Sequence, residues 1–391
     1  ETLPKGRKQK TTALYDRFVN QGAVMGDSFG LENVLWFANN KEDAHEEPTI
    51  KRSRSHDYVS KEVINVRENV GLIEVANFSK HEFKGPDARK FLDHIMAGRL
   101  PKPGRISLSP MLSYRGKLCG DLTVTCLDEN EFIVFGSGAA QEMHRRWFES
   151  HLGKFNVNYN NRSDEFHGLS IAGPNSRKVL EKIVREDISN EKFKFRDSRR
   201  MFVGGVPAIV NRISFTGELG YEIYVAPHYQ IKLYEELIQA GKEFTIKPFG
   251  GRALMSMRLE KNWGAWTLDY RPDFTAKETG LDTFINWNKE FIGKENAKKD
   301  NSTNKIVPLI VETNEIDVTN NEAVVNGKDS IGYVTSGGFA HYVNKSVAFT
   351  FLDQNKINHD NKIQIEINGD LFNCSIIKDS LYDPTGQKMR S

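Results

Sequence analysis

The hydrophobic pattern of this sequence changes at a polar, charged segment, residues 298–304. Beyond this segment, six short apolar runs separated by turn residues lie close together between residues 306 and 377. Short strands at such close spacing are typical of a small β-barrel or sandwich. Before the segment, strand-like alternation and helix-like spacing take turns along the chain. The pattern therefore predicts two α+β units followed by one all-β unit.

Apolar spacing also places individual elements before residue 298. Helical spacing predicts helices over residues 12–24, 56–70, 85–95, 140–152, 176–184, 229–240 and 250–260. Alternation and short apolar runs predict strands within residues 71–78, 105–112, 122–135, 168–172, 202–215 and 220–225. We expect the polar residues 39–54 to form a loop, and residues 1–12 to form a mobile or docking arm.

Charge and composition exclude several classes of function. The 391 residues include 54 basic and 52 acidic side chains, a formal net charge of +2. This balance gives no electrostatic basis for binding nucleic acid or an anionic membrane. No window reaches the roughly 18 apolar residues of a membrane span. The N-terminus has no apolar core and is not a secretory signal, and without an initiator methionine we expect a processed product or a piece of a longer chain.

The cysteines and histidines show no spacing that is typical of a metal site. The three cysteines, Cys119, Cys126 and Cys374, are odd in number and widely spaced, which predicts reduced thiols in a reducing compartment. We expect the cytoplasm, or the mitochondrial matrix if the source is eukaryotic. No HExxH pair occurs, and we assign structural roles to the single histidines His81, His94, His144, His228 and His341. Dinucleotide-binding, P-loop and nucleophile-elbow motifs are also absent.

Three carboxylates lie in unusual positions, namely Asp121, Glu222 and Asp269, which follows an aromatic-rich turn. Asp121 stands where an alternating run, Leu122, Val124 and Cys126, begins after a polar turn at residues 114–117. Carboxylates are depleted in strands because they pack poorly on a half-buried surface. Two interpretations stay open for Asp121: an Asp that stabilises the turn through its own backbone, or a carboxylate that faces a ligand.

Glu222 lies inside a predicted strand, with its side chain on the same face as Tyr224 and opposite to Tyr221 and Ile223. If that face is exposed to solvent, Glu222 needs no explanation. If the face is covered, the carboxylate requires donors, because a buried unpaired charge is very costly. A planar pair of donors, such as the N–H and NH2 edge of a pterin, matches a carboxylate in the way that arginine does.

Motifs along nearly the whole chain resemble those of the glycine-cleavage T-protein family. They are Gly120-Asp121-Leu122-Thr123-Val124, Gly173-Pro174, residues 216–222, Gly250-Gly251-Arg252, residues 258–260, residues 291–294 and residues 334–338. The sequence is most similar to the folate-binding C-terminal half of dimethylglycine and sarcosine dehydrogenases. That branch is indicated by residues 14–17, 22–24, 36–37, 66–72, 77–80, 100–101 and 104–106. Motifs of the flavin-binding half of those enzymes are absent from this sequence.

The resemblance implies an α+β protein with three domains in a ring around tetrahydrofolate, the cofactor. The implied divisions are a discontinuous folate-binding domain of ferredoxin-like type, residues 1–75 and 165–300; a second such domain, 76–164; and a C-terminal β-barrel, 301–391. It also implies that Asp121, in the second domain, is catalytic, that Glu222 holds the pterin edge, and that Arg252 and Thr123 contact the ligand.

Two positions depart from the family pattern, in which tyrosines are frequent. Phe215 stands seven residues before Glu222, and Leu108 stands thirteen residues before Asp121. Both positions belong to the folate site that the resemblance implies. Each substitution removes a hydroxyl, so we expect fewer hydrogen bonds to the folate, while apolar stacking is retained at Phe215.

The resemblance implies a tetrahydrofolate-dependent one-carbon transferase of the aminomethyltransferase type. Its substrate would be a small methylated amine, and an FAD-dependent dehydrogenase subunit or domain is the implied partner. The alternatives are a demethylase acting on a sulfonium or other methylated donor, and a folate-binding, non-catalytic subunit of a flavoprotein complex. A folate-binding scaffold of the iron–sulfur assembly type is a further alternative, but residues 214–218 lack the cysteine of its motif.

Overall fold

The computed structural model describes residues 6–358 and 360–391. Its α-helices are α1 (Tyr15–Asn20), α2 (Ser55–Glu68), α3 (Ala88–Ile95), α4 (Gln141–Leu152), α5 (Ser176–Glu181), α6 (Gln230–Gly241), α7 (Gly251–Glu260), α8 (Ala276–Thr279), α9 (Lys294–Lys298) and α10 (Gln387–Arg390). None of the helices within these ranges is long and apolar enough to cross a membrane.

The strands form a two-stranded ribbon, two larger sheets and a barrel. In chain order they are β1 (Ala23–Ser28), β2 (Leu31–Phe37), β3 (Gly71–Glu74), β4 (Phe78–Lys84), β5 (Arg105–Leu112), β6 (Leu118–Asp128), β7 (Glu131–Ser137), β8 (Asn158–Asn161), β9 (His167–Ala172), β10 (Ser198–Val203), β11 (Val206–Asn211), β12 (Gly220–Val225), β13 (Lys247–Pro248), β14 (Asn304–Val311), β15 (Ala323–Asn326), β16 (Asp329–Ala340), β17 (Lys345–Asp353), β18 (Ile363–Ile367) and β19 (Asp370–Ile376). The first two strands make up the ribbon.

Two mixed α+β layers occupy most of the chain before residue 300. The first sheet has the strand order β10-β11-β12-β9-β3-β13 and is antiparallel except for the β13–β3 pair. The second sheet has the order β5-β6-β7-β4-β8. One face of the second sheet packs on α3 and α4 through a cluster that includes Phe91, Leu122 and Phe148, all fully buried. The burial of these apolar side chains fixes which face of the sheet is left for other contacts.

The C-terminal strands close into a barrel of six strands in the order β14-β17-β16-β15-β18-β19, and the pairing of β14 with β19 completes the ring. Closure leaves no free sheet edge, which is the usual way for short strands to protect their backbone groups. Leu309, Val324, Val334 and Ile365 fill the interior. The predicted α+β class with a C-terminal β-barrel is therefore confirmed.

Several predicted elements agree closely with the structure, whereas the helix predicted over residues 12–24 is limited to α1, and β1 already begins at Ala23. The predicted helix 56–70 is α2, where Val59, Val63 and Val66 are buried at helical spacing. The predicted single strand 71–78 is wrong, because the chain leaves the first sheet after β3 and enters the second sheet at β4. Apolar alternation continues from β3 into β4, so the pattern cannot reveal that the two strands belong to different sheets.

The N-terminal arm was predicted over residues 1–12, of which residues 1–5 lie outside the described part. From Arg7 onward the chain is docked on β2. Arg7 forms an ion pair with Glu32, and Lys10 pairs with Leu31 through the backbone. The docking alternative thus describes residues 7–12.

Candidate functional site

Asp121 lies inside β6 and not at its start, since the strand begins three residues earlier, at Leu118. Leu122, Val124 and Cys126 point into the helix-covered core and are fully buried. Successive side chains of a strand point to opposite faces, so Asp121 and Thr123 point to the other face of the sheet. The interpretation of Asp121 as a turn residue is therefore wrong.

A row of side chains crosses this second face of the sheet. Leu108 on β5 pairs with Thr123, Thr123 pairs with Phe135 on β7, and Phe135 pairs with Lys80 on β4. Residues that pair directly across strands point to the same face. All four therefore share the face that carries Asp121, and the structure brings the predicted residues Asp121, Thr123 and Leu108 together.

Glu222 and Tyr224 lie on a face of the first sheet that packs against this one. The ring of Tyr224 is 4.6 Å from the ring of Phe135, measured between centroids, and both belong to one buried cluster. A second contact joins the same faces, because Asn211, which pairs with Glu222, donates from Nδ2 to Thr125 Oγ1 at 3.4 Å. Asp121 and Glu222 therefore lie on facing surfaces of two packed sheets, which in proteins are about 10 Å apart.

Glu222 is strongly affected by its surroundings. Protein encloses the carboxyl group, although the side chain keeps some solvent contact, and this burial raises its pKa to about 7. Two effects oppose the increase: the Tyr224 hydroxyl donates to Oε2 at 2.8 Å, and Lys80 contributes a positive charge. Burial thus brings the pKa of this carboxyl group close to neutral pH.

Lys80 is a fully buried cation on the same face. Its ammonium group donates to the carbonyl of Ala76 at 2.8 Å and lies 3.5 Å from that of Ser163. Burial lowers its pKa to about 7. Within the described residues, the hydrogen-bond partners of its ammonium group are these backbone carbonyls. Its charge therefore acts on Glu222 through space and not through a direct bond.

Asp121 has a simpler environment. Burial raises its pKa to about 7, and only its own backbone N–H opposes the increase. Among the described residues, no side chain donates a hydrogen bond to its carboxyl group, and the residue as a whole keeps some solvent contact. A carboxyl group with these properties can exchange a proton with a bound ligand near neutral pH.

The segment from Trp263 to Phe274 covers one end of this surface. Trp266 and Tyr270 pack in the same hydrophobic cluster as Leu108 and Leu118. The backbone of this segment also joins β6, because Leu118 donates its N–H to the carbonyl of Phe274 at 2.9 Å. Two aromatic side chains are thus held beside the strand that carries Asp121.

Asp269, the third carboxylate of interest, anchors that segment. It accepts from Arg258 Nη1 at 2.8 Å, from the backbone of Ala265 at 3.0 Å, from Thr335 at 2.5 Å and from Ser336 at 2.7 Å. Both members of the Asp269–Arg258 pair are buried. Its four donors come from α7, the segment itself and β16 of the barrel, so its role is to join these three parts.

The other two predicted ligand residues, Arg252 and Phe215, are held by contacts of their own. Arg252, at the start of α7, contacts Ser55 at 2.7 Å and forms an ion pair with Glu46. The ring of Phe215 stacks on that of Trp263 at 5.7 Å. Within the described part of the chain, no hydrogen bond or ring contact joins either residue to Asp121 or Glu222. Their role in ligand binding stays a prediction.

Sequence reasoning missed Lys80, Phe135 and Tyr270, although it recognised that Tyr224 shares a face with Glu222. No local signal marks the three missed residues. Phe135 ends a continuous apolar run, and Tyr270 lies in a segment without periodicity. Their placement depends on which sheets pack together, a property that local patterns do not contain.

The three cysteines are free thiols, and two of the five single histidines have hydrogen-bond partners within the protein. His81 Nδ1 lies 2.9 Å from the Tyr159 hydroxyl, and His144 Nε2 lies 3.0 Å from the carbonyl of Cys119. Across residues 6–358 and 360–391, no group of three or more His, Cys, Asp or Glu side chains is arranged to hold a metal ion.

Known proteins share both the sequence and the fold. Residues 14–289 match the GCVT N-terminal domain, and residues 304–383 match the glycine cleavage T-protein C-terminal barrel domain. The mitochondrial dimethylglycine dehydrogenase of Homo sapiens is 33% identical over 393 residues, 98% of this chain and 45% of that protein. The aminomethyltransferase of Thermoanaerobacter pseudethanolicus is 29% identical over 330 residues, 83% of this chain and 89% of that protein.

A solved structure has the same fold. The glycine cleavage system aminomethyltransferase T of Bartonella henselae superposes with a TM-score of 0.83 at 21% identity, covering 96% of this chain and 99% of that one. The chain spans about half the length of the dimethylglycine dehydrogenases that it matches.

Proposed function

Because the chain belongs to the glycine cleavage T-protein family, we propose that it is a tetrahydrofolate-dependent one-carbon transferase of the aminomethyltransferase type. In this reaction, a carbon at the formaldehyde level passes from a methylated amine to tetrahydrofolate. The proposal is carried by the position of Asp121 and Glu222 on facing surfaces of two packed sheets. Burial raises the pKa of each to about 7, a perturbation that is common at functional sites.

The residues present fit a pterin ring at Glu222. Among the described residues, the Tyr224 hydroxyl is the one side-chain donor to this carboxyl group, and it uses Oε2. The remaining lone pairs suit two parallel N–H donors, which is the arrangement that the edge of a pterin offers. Such donors favour the ionised carboxylate, so they offset the cost of burying its charge.

Asp121 is the proposed catalytic group. Tetrahydrofolate, when bound, supplies the amine nitrogen that takes up the carbon. Asp121 accepts a hydrogen bond or a proton at that nitrogen, and its negative charge stabilises the positive charge that develops nearby. A pKa of about 7 makes it a stronger base than an ordinary aspartate while it still ionises near neutral pH.

Four further residues complete the proposed ligand site. Thr123 and Leu108 share the face of Asp121. Phe215 offers an aromatic surface next to Trp263. Arg252 is half-exposed and holds its guanidinium group towards Glu46, so a ligand carboxylate would compete with Glu46 for it.

The methylated amine and the partner follow from the relatives. We propose dimethylglycine, sarcosine or an aminomethyl donor as the source of the carbon, because relatives are named dimethylglycine dehydrogenase and aminomethyltransferase. The chain spans about half of the former proteins, so we also propose an FAD-dependent dehydrogenase subunit or domain as its partner. We further propose a division into three domains, residues 1–75 with 165–300, 76–164 and 301–391, and a reducing compartment, the cytoplasm or the mitochondrial matrix.

Calorimetry with tetrahydrofolate tests the proposal. We expect the wild type to bind, Glu222→Gln to bind at least tenfold more weakly, and the matched control Glu366→Gln, on an exposed face of the barrel, to bind like the wild type. Absence of binding by the wild type at millimolar tetrahydrofolate would contradict the proposal.

Turnover with candidate methylamines, with and without a flavoprotein partner, separates the alternatives. Asp121→Asn should bind tetrahydrofolate but lose at least a hundredfold in turnover. Undiminished turnover in this variant would favour the non-catalytic folate-binding subunit, and turnover with sulfonium donors alone would favour the demethylase.

A further inference from the structure

Tyr270 is a polar aromatic residue beside Asp121 whose hydroxyl group is only partly used. Its oxygen accepts the backbone N–H of Gly264 at 3.2 Å. The proton of the same hydroxyl has no hydrogen-bond acceptor in the part of the chain that the structure describes. The residue as a whole keeps some solvent contact, and its hydroxyl proton is available to a ligand.

The position of Tyr270 places that donor beside the proposed reaction site. Its ring packs in the hydrophobic cluster that includes Leu108, which shares the sheet face of Asp121. Asp121 is also close enough for its negative charge to raise the pKa of Tyr270, after the larger effect of burial. The hydroxyl therefore stays protonated, and remains a donor, throughout the range in which Asp121 ionises.

The ring of Tyr270 is held firmly. A Cβ atom at Gly264 would lie only 2.5 Å from the ring, so the ring lies directly on the backbone at that glycine. The backbone of Tyr270 donates to Ala265 at 3.1 Å and accepts from Thr267 at 2.9 Å. The neighbouring Asp269 fixes the segment to α7 and the barrel. The Tyr270 side chain therefore loses little conformational entropy when a ligand binds.

Leu108, which shares the sheet face of Asp121, is apolar and has no hydroxyl to offer a ligand. We propose that the Tyr270 hydroxyl donates a hydrogen bond to the ligand bound against Asp121, and that this segment supplies the hydroxyl that Leu108 lacks. The inference rests on the proposed function, in which that ligand is tetrahydrofolate. Tyr270 is then a ligand-contacting residue that the strand pattern does not reveal.

The Tyr270→Phe variant tests the proposal because it removes the hydroxyl and keeps the ring. We expect calorimetry to show a Kd for tetrahydrofolate that is about three- to tenfold higher than that of the wild type. The matched control is Tyr333→Phe. Tyr333 packs in the same cluster, but it lies on β16 of the barrel and Asp121 is not among the charges that affect its pKa, so we expect the Kd of this variant to be unchanged.

A spectroscopic measurement distinguishes contact from packing. In protein labelled with 13C at tyrosine Cζ, the Tyr270 resonance, assigned by its loss in Tyr270→Phe, should shift when tetrahydrofolate is added. The Tyr333 resonance should not. Equal affinity of Tyr270→Phe and the wild type overturns the proposal, and so does a Tyr270 resonance that is unmoved at saturation. A wild type that does not bind tetrahydrofolate would instead contradict the proposed function itself.

Discussion

The ring of Phe135, on the second sheet, lies 4.6 Å from the ring of Tyr224, on the first, and the two planes are inclined by 34°. Tyr224 also donates its hydroxyl to Glu222 at 2.8 Å. One tyrosine therefore does two things: its ring helps to hold the sheets together, and its hydroxyl orients the carboxyl group that we propose binds the pterin. Separate substitutions can distinguish these contributions.

Tyr224→Phe should change the pH at which the ligand binds. The hydroxyl favours the ionised form of Glu222, so its removal raises the pKa of that carboxyl group from its value of about 7. Donors on a ligand bind the carboxylate more strongly than the acid, and the midpoint of the affinity increase should therefore move to higher pH. Calorimetry with tetrahydrofolate between pH 6 and 9 measures the midpoint, and an unchanged midpoint would contradict the assignment.

Asp121→Asn should stabilise the protein at neutral pH. The pKa of Asp121 is about 7 in the folded protein, well above that of an unfolded aspartate, about 4. Between these values the folded chain holds a proton that the unfolded chain has released, so the free energy of unfolding falls as the pH rises.

The asparagine variant lacks this effect. We expect its advantage to grow from pH 4 to pH 7 and to reach about 1–2 kcal/mol, a figure reduced for the solvent contact of the side chain. Thermal unfolding across this range measures it. A difference in Tm that is the same at every pH would show that ionisation of Asp121 is not the cause.

Asp269→Ala should strongly destabilise the chain. The substitution leaves the buried Arg258 without its carboxylate and removes the acceptor for Thr335 and Ser336. Breaking one side of a buried ion pair costs about 3–5 kcal/mol. Urea unfolding gives the value. Asp273→Ala is the matched control on the same segment, because Asp273 is largely exposed and we expect a change of less than about 1 kcal/mol.

Gly264→Ala should displace Tyr270 without removing any functional group. The added methyl group would lie 2.5 Å from the ring, so ring or backbone must shift, at a cost of about 1–3 kcal/mol. We expect weaker tetrahydrofolate binding together with a lower Tm. Gly205→Ala serves as a control for steric effects, because a Cβ there meets nothing within 4 Å, although its positive φ adds some strain. Wild-type affinity in Gly264→Ala would argue against a fixed Tyr270.

Local patterns predicted a large part of the fold. The resemblance to the T-protein family is confirmed, as is the change to an all-β unit after residue 304. Alternation also placed Glu222 with Tyr224, because side chains two apart on a strand share a face, and the structure adds that Asp121 and Thr123 share a face of the other sheet. Alternation could not reveal that these two faces oppose each other, since that depends on Phe135 and Tyr224, which are 89 residues apart in the chain.

The residues of the candidate site that sequence patterns missed are not marked by any periodic spacing of apolar residues. Tyr270 is placed by the hydrogen bonds that anchor its neighbour Asp269 and by a close approach to Gly264. Lys80 looks like an ordinary surface residue between polar neighbours, yet its ammonium group is buried at the junction of two sheets. Only the assembled structure shows that burial, and with it the charge beside Glu222.

Two of the four donors to Asp269, from Arg258 and Ala265, lie within the matched N-terminal domain, and the other two, from Thr335 and Ser336, lie in the barrel. Exchanging the barrel for that of a relative would therefore do more than replace an appended module. A chimera that lost the hydroxyls of Thr335 and Ser336 would leave Arg258 and Asp269 incompletely bonded and would loosen the segment that carries Tyr270. The barrel and the segment that carries Tyr270 are thus constrained to change together, so recombination between family members must preserve these hydrogen bonds.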